Sequence, residues 1–563
     1  VLVETETRVY CTDAEALADL RTALAAVEFW RSAHRLSRLP IPPALDRLAE
    51  PVEDFLSGKG DYVAARATIA DLVNWLHGKP RDPAVAVSAD ALAPAEPISH
   101  PLTPFHWEIE FPEVFQRDNP GFDAIVGNPP FLGGTKISAA LGATYAEWLL
   151  TSVADSHGNS DLVAYFFRAS SKLIRASGVF GLISTNTIAQ GDTRTTGLRF
   201  LRKAGACIYC ANTRLKWPGD AAVVVSVIHI SRKPVAPCLL NGKAVRVITA
   251  FLLTDGGDDN PATLGSNASK SFSGSKVYGQ GFTFEDSADA DDTTPGTPNP
   301  LTRRDSLLSA EPSLSRCIYP YLGGEEINTS PTHAAHRYVI NLGEVPEAEA
   351  RRHFPAIMDV LEKKVRPDRA RLMGKNAIGT QRARNWWIHG STAKELYEAI
   401  KNMPRVIAIS QTSRIVAFTF VQSNICFSHK AIVFPFSSAA ALSGMQTRVH
   451  EEWARRFGST MKDDAVYTPS DCFETFPFPE NFESDAGLEA AGREYYEYRA
   501  ALMVKNDEGL TKTYNRFHDP AESSAEIARL RELHAAMDRA VLDAYGWVEV
   551  PTACGFALDW LDL

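Results

Sequence analysis

The chain has 563 residues, 58 Lys and Arg against 68 Asp and Glu, a formal net charge of −10, and 45% hydrophobic and 22% charged residues. That length calls for more than one domain, and the acidic balance excludes a uniformly basic nucleic-acid coat while leaving room for a local basic face. No apolar run reads as a transmembrane helix, the N-terminus lacks the basic-then-apolar order of a signal peptide, and the eight cysteines are too dispersed for a disulfide framework. The reading is a reduced protein of the cytoplasm. The sequence opens on Val1 rather than methionine, which suggests a processed, truncated or partial chain.

Residues 1–95 read as a helical segment. Asp13 precedes Leu17, Leu20, Leu24, Val27 and Trp30 at helical spacing, and Ala65, Ile69, Leu72 and Trp75 share a second face. Proline recurs with alanine and serine from 80 to 104, a linker composition. Residues 96–250 then read as an α/β block. In GFDAIVGNPPFLGG (121–134), Phe122, Ala124, Ile125 and Val126 form an apolar run of the kind buried on both faces of a parallel sheet. Asn128-Pro129-Pro130 cannot continue that ladder, because proline has no N–H and restricts the residue before it. The chain must leave the sheet at Asn128, and the carboxyl end of a strand is where open α/β sheets bind ligands.

Residues 161–176 predict a helix with Ser160 as N-cap, Gly178 as its C′ stop, and Leu162, Phe166, Ala169, Leu173 and Ile174 on the buried stripe. VFGLIST (179–185) is a further apolar strand, so strand, helix and strand form a parallel crossover. CIYCANTRLKWPGDAAVVVSVIHIS reads as two antiparallel strands around Trp217-Pro218-Gly219 that finish the sheet. Cys207 and Cys210 form the one C-x-x-C, but no second pair or histidine cluster stands near in sequence, so they read as strand cysteines and no metal is assigned.

Residues 251–304, rich in Gly, Ser, Asp, Thr and Pro and including DSADADDTTPGTPNP, read as a flexible linker. Residues 305–480 read as a second domain, with strands at 338–341, 405–410, 416–421 and 431–436. Inside it, KKVRPDRARLMGKNAIGTQRAR carries Lys363, Lys364, Arg366, Arg369, Arg371, Lys375, Arg382 and Arg384 against the single acid Asp368. Such a run is often a solvated helical face, but its place beside Trp386-Trp387 makes it the candidate DNA contact, with Lys and Arg on phosphates. Residues 481–563 read as helical, with Ile527, Leu530, Leu533, Met537, Val541 and Ala544 on one face, Ser523 or Ser524 as cap and Gly546 as stop.

The stretch Asn128 to Phe131 suits one difficult reaction. The exocyclic amine of adenine is a poor nucleophile, because its lone pair is delocalised into the ring. Hydrogen bonds accepted from both N6 protons, one by the Asn128 carboxamide oxygen and one by the Pro129 carbonyl, would draw the nitrogen towards an attacking geometry. Pro129 and Pro130 would fix the backbone so that the acceptor is aimed before substrate arrives. Phe131 would stack on a base rotated out of its duplex, which is worth roughly 1–3 kcal/mol.

GFDAIVGNPPF resembles motif IV of the class I S-adenosylmethionine-dependent amino-methyltransferases, in the form used by adenine-N6 DNA enzymes. FHWEIEFPEVF, SDLVAYFFRAS, VFGLISTNTIAQGDTR, RLKWPGDAAVVVSV, PYLGGEEI, RNWWI and YTPSDCFETFPFP are similar to the large bacterial methyltransferases of restriction–modification and phage-defence systems of the DISARM, BREX and MmeI kinds. The resemblance implies an α/β fold: an incomplete Rossmann-like methyltransferase core at 96–250, an α+β target-recognition domain at 305–480, and helices at either end. It implies methyl transfer from S-adenosylmethionine to N6 of a flipped adenine in double-stranded DNA. By it, Trp217 stacks on the target base opposite Phe131, while Glu110 and Phe111 fall where the family places cofactor-binding residues. The family's Gly-rich cofactor loop, typically DPACGSG, is missing upstream of Asn128; PTACGFALD near the end is only superficially like it. The implied partners are double-stranded DNA, a missing N-terminal portion of the same enzyme, and other restriction or defence subunits, with no membrane. The alternatives are a DNA-binding specificity or defence subunit that does not methylate, and a methyltransferase acting on protein glutamine or cytosine N4.

Overall fold

The computed structural model describes residues 2–5, 8–11, 107–217, 224–461 and 464–552, in two compact units, 1–259 and 260–563. The helices and proline-rich linker expected between residues 13 and 104 lie outside the described residues. Within the expected helical segment, β1 (Leu2–Thr5) and β2 (Arg8–Cys11) instead pair as an antiparallel hairpin. The architecture is mixed α/β.

The first unit is built on a six-stranded sheet whose order is β3 (Phe122–Gly127), β4 (Ile174–Thr185), β6 (Val224–Ser231), β5 (Cys207–Lys216), β7 (Cys238–Leu240), β8 (Lys243–Val245). β3 and β4 are parallel, joined through helix Leu162–Leu173, and β6 runs antiparallel between β4 and β5. Phe167 of the helix and Phe180 of β4 are both buried, with ring centroids 5.9 Å apart at 73°. Burying rings of this size contributes about 2–3 kcal/mol each.

The structure departs from expectation at three local points. The helix ends at Leu173 and β4 begins at Ile174, so Gly178 is not a helix stop. It lies in an irregular stretch of the β3–β4 ladder, where a Cβ would stand 2.7 Å from the Phe122 carbonyl oxygen. Leu162 is buried as expected, together with Val163, Ala164, Tyr165, Phe167, Arg168 and Ser170, but Ala169 is exposed and Phe166 is 40% exposed, because apolar residues run almost all the way round this helix and the stripe has no sharp edge in sequence. Finally, β3 is not buried on both faces. Among the described residues it is the terminal strand of the sheet, and Val126 is 88% exposed.

Among the described residues the second unit holds two four-stranded sheets and a three-stranded one. The first sheet orders β10 (Thr283–Phe284), β12 (Arg337–Ile340), β11 (Ile318–Leu322) and β16 (Cys426–Phe427). The second orders β15 (Thr419–Gln422), β13 (Arg405–Ser410), β17 (Ala431–Phe434) and β9 (Phe272–Ser273). The third orders β14 (Thr412–Ser413), β19 (Asp464–Val466) and β18 (Ser459–Met461). Helix Ala525–Ala544 packs Ile527, Leu530, Leu533, Met537 and Val541 into the core and is capped by Ser524; Ala544 is exposed. Arg499, buried on helix Ala486–Asn506, donates to the Phe418 carbonyl at 2.6 Å, the Tyr514 hydroxyl at 2.9 Å and the Gln446 side chain at 3.2 Å.

The stretch 251–304 is not a flexible linker. From Asn260 it belongs to the second unit. β9 pairs with β17, Phe282 and Phe284 are buried, and the Asn267 side chain donates to the carbonyls of Phe473 and Phe476. Asn299 ties the Gly281 and Thr283 carbonyls together in the same way. The polar composition that reads as disorder is consumed in satisfying turns of an irregular but packed layer.

Candidate active site and nucleic-acid interface

The candidate active site begins where a ladder stops. Gly127, the last residue of β3, pairs with Leu182, whereas β4 continues to Thr185. Asn128 therefore leaves the sheet beside a taller neighbour, in a step at the carboxyl end of the parallel pair, as the two prolines require. The Asn128 side chain is exposed and makes no hydrogen bond among the described residues, so its oxygen is free to accept. Pro129 is buried and Pro130 exposed; Phe131 is half-buried and packs on the hydrophobic core beneath the sheet.

The loop beyond the prolines is held firmly. Leu132 donates its N–H to Asp161 Oδ1 at 3.2 Å, and its carbonyl accepts from Leu162 N at 2.9 Å. Asp161, not Ser160, caps the helix, accepting from Val163 N at 3.0 Å, and its own N–H donates to the Thr193 hydroxyl at 3.0 Å. Burial pushes the Asp161 carboxyl up, against the lowering effect of the two backbone N–H groups. Gly134 completes the seat: a Cβ there would lie 2.4 Å from the Asn159 backbone. The Ser160-Asp161 pair signals the helix start in sequence, but nothing local signals the reach back to Leu132.

Trp217 follows the last residue of β5 and is half-buried; the residues after it lie outside the described ones. β5 is parallel to β3 and β4 through the intervening β6, so Trp217 stands at the same end of the sheet as Asn128. Leu215 and Thr185 both pair with Val225, which puts Trp217 beyond the end of β4. Three strand spacings separate β3 from β5, about 14 Å, so Trp217 forms a far wall of this end of the sheet.

Glu110 and Phe111 lie elsewhere. Phe111 precedes the one-turn helix Pro112–Phe115, and its ring packs on Phe122 at 5.5 Å and stacks on Trp107 at 5.8 Å. Phe122 opens β3, so the pair sits at the amino end of the strand, on the order of 20 Å from Asn128 at about 3.3 Å per residue. Ligands bind at the opposite end. The pair assigned to S-adenosylmethionine does not fit it.

The eight basic residues of 363–384 divide sharply. Lys364 and Arg369 are each 1% exposed. Lys364 Nζ donates to the Asp291 carbonyl and to the Thr297 hydroxyl, clamping the acidic loop whose composition reads as linker. Arg369 donates to the carbonyls of Val277 at 2.9 Å, Tyr278 at 3.3 Å and Asn385 at 3.2 Å, and burial pushes its guanidinium down to about 10. Neither reaches a phosphate: their charge is spent on buried carbonyls, which corrects their assignment to DNA. Trp386 is likewise core, and Trp387 donates to the Val345 carbonyl. Lys363 and Arg366 form exposed ion pairs with Asp359 and Glu362. Arg371, 3.7 Å from Asp368, is exposed, and so are Lys375 and Arg384, which make no ion pair among the described residues. Arg382, half-buried, lies with its guanidinium carbon 3.9 Å above the Tyr278 ring.

Residues 87–205 match the Eco57I restriction-modification methylase family, and residues 300–480 match the MmeI target recognition domain. A solved structure of the Type IIL restriction-modification enzyme MmeI in complex with DNA superposes with a TM-score of 0.60 at 20% identity, over 86% of this chain. The chain is MmeI-like. It spans 62% of the length of the MmeI structure. The Type IIG restriction endonuclease BpuSI matches with a TM-score of 0.24 at 11% identity, covering 76% of this chain and 55% of its own. The DrdV–DNA complex matches with a TM-score of 0.26 at 11% identity, covering 67% and 44%. No curated protein sequence matches the chain. The segment that resembles the methylase family contains Asn128 to Phe131, and the segment that resembles the recognition domain contains the basic run.

Proposed function

We propose that this chain is part of a site-specific DNA methyltransferase that transfers a methyl group to N6 of a flipped adenine in double-stranded DNA, within a restriction–modification or phage-defence system. The observation that carries the proposal is the Asn128 carboxamide, exposed and without a hydrogen bond among the described residues, at the strand end fixed by Pro129 and by the Leu132–Asp161 tether. In this reading the Asn128 oxygen and the Pro129 carbonyl accept the two amine protons of the base, and the aligned nitrogen attacks without a covalent enzyme–DNA intermediate. Phe131 offers its ring edge or face at the mouth of the step, and Trp217 closes the far side. The implied methyl donor is S-adenosylmethionine, held by residues other than Glu110 and Phe111. Exposed Arg371, Lys375 and Arg384 supply phosphate contacts in the recognition domain.

A second reading, a DNA-binding specificity or defence subunit that does not methylate, is favoured by the misfit of Glu110 and Phe111 to a cofactor. Nucleoside mass spectrometry of DNA from cells that carry or lack the full-length gene separates the two. N6-methyladenine present with the gene and lost in Asn128→Ala is the expected result. Methylation unchanged in Asn128→Ala, or a methyl group found on cytosine N4 instead, overturns the assignment.

A further inference from the structure

The 260–563 unit holds a cationic cluster whose Arg382, Lys276 and Lys430 make no ion pair among the described residues. Its centre is Tyr278, 45% exposed and at φ +45°, a conformation that bulky side chains adopt only under constraint. The constraint is visible on both sides. Buried Arg369 hydrogen-bonds the Val277 and Tyr278 carbonyls, and the Gly390 backbone presses so close that a Cβ there would meet Tyr278 Cδ2 at 2.6 Å. A two-way backbone bridge between Lys276 and Ser391 locks the same turn. The outward ring carries the Arg382 guanidinium at 3.9 Å, with the His429 ring stacked at 6.1 Å and 27°. Arg382 Nε is buried without a hydrogen-bond partner, and Arg382, Lys276 and Lys430 make no ion pair among the described residues. Burial disfavours protonation of His429, the charges of Lys430 and Lys276 add to that effect, and Arg382 repels Arg369.

Packing like charges around a strained tyrosine costs stability, and Asp368, which acts on Arg369, is not ion-paired with Arg382, Lys276 or Lys430. An anionic partner would supply the opposite charge. The chemistry of the cluster also separates two roles. A lysine ammonium is a mobile point charge suited to phosphate, whereas a guanidinium laid flat on an aromatic ring has its planar fork fixed in orientation, as bidentate recognition of a base edge requires.

Resting on the reading of this chain as a DNA-modifying protein, we infer that Arg382, supported by Tyr278, reads a guanine edge in the recognition sequence, while Lys276 and Lys430 bind the flanking phosphates. Arg382 is a specificity residue in this scheme and Tyr278 a positioning residue.

The test is selection from a randomised DNA duplex library by the purified protein and by Arg382→Lys, Arg382→Ala, Tyr278→Leu and the double variant Lys276→Ala/Lys430→Ala, each checked for an unchanged melting curve. Arg382→Lys, which keeps the charge, should lose preference for guanine at one position by about tenfold or more. Tyr278→Leu should weaken the same position and no other. The lysine pair should leave the selected motif intact and lower the salt dependence of binding by about 1.8 in log–log slope. Selection of an undiminished motif by Arg382→Lys and Arg382→Ala would overturn the inference, and would show Arg382 to be at most a phosphate contact. If the unmodified protein enriches no sequence, the DNA reading itself falls, and the inference with it.

Discussion

Asp161 Oδ1 accepts the N–H of Leu132 at 3.2 Å as well as that of Val163 at 3.0 Å, so one carboxylate both starts a helix and ties down the loop that carries Asn128. Removing it should affect two measurements at once. Asp161→Ala loses a cap and a buried acceptor, and should lower stability by about 1–3 kcal/mol in urea unfolding. In the proposed enzyme it should also lower methyl transfer with little change in DNA affinity. Asp161→Asn keeps an oxygen in place and should recover most of both. Equal losses in the two variants would mean that the negative charge, not the hydrogen bonds, matters.

Asn128→Ala should behave in the opposite way. The side chain is exposed and makes no hydrogen bond among the described residues, so its loss should leave the melting curve within about 0.5 kcal/mol of the parent, while transfer to adenine disappears. A large stability change would show that Asn128 serves the fold.

The basic segment yields a paired prediction. Arg369→Met should destabilise the second unit by about 2–4 kcal/mol, because it strands the Val277, Tyr278 and Asn385 carbonyls. Lys375→Ala and Arg384→Ala should leave stability alone and each lower the salt slope of DNA binding by about 0.9. The reverse pattern would move the DNA path away from the exposed residues.

Acid should melt the second unit early. Burial pushes His333 and His389 down to about 4 and His450 down to about 3. An unfolded chain protonates these histidines near pH 6.5 and the folded one does not, so the stability that they contribute is complete above about 6.5 and is lost as pH falls towards the folded values. The expected loss is about 1.4 kcal/mol per pH unit for each histidine below about 6. Melting temperatures measured between pH 7.5 and 5 should fall accordingly, and His389→Gln should flatten the fall. A melting temperature that stays flat to pH 5 would rule this out.

The strand exit at Asn128, the parallel crossover, the antiparallel pairing of β5 with β6 and most of the last helix are legible in the sequence, since each rests on local signals: proline, glycine, caps and periodicity. That pair does not finish the sheet, because β7 and β8 extend it beyond β5. The misreadings share a different cause. Gly178, Lys364 and Arg369 look like a helix stop and two surface cations, and each owes its role to backbone from a distant part of the chain: Phe122, Asp291 and Val277. The stretch 251–304 looks disordered because composition does not show that Asn267 and Asn299 find buried carbonyls. Tyr278 is hidden inside it. Glu110 and Phe111 are placed by resemblance alone, and the ring contact with Phe122 puts them at the wrong end of the strand for a ligand.

The ladder between β3 and β4 ends at Gly127, so Asn128 contributes nothing to holding the sheet together. A copy of this gene that has drifted at that one codon would still make a folded protein. In the proposed enzyme it would still engage DNA through a separate compact unit, and would mask sites it no longer marks.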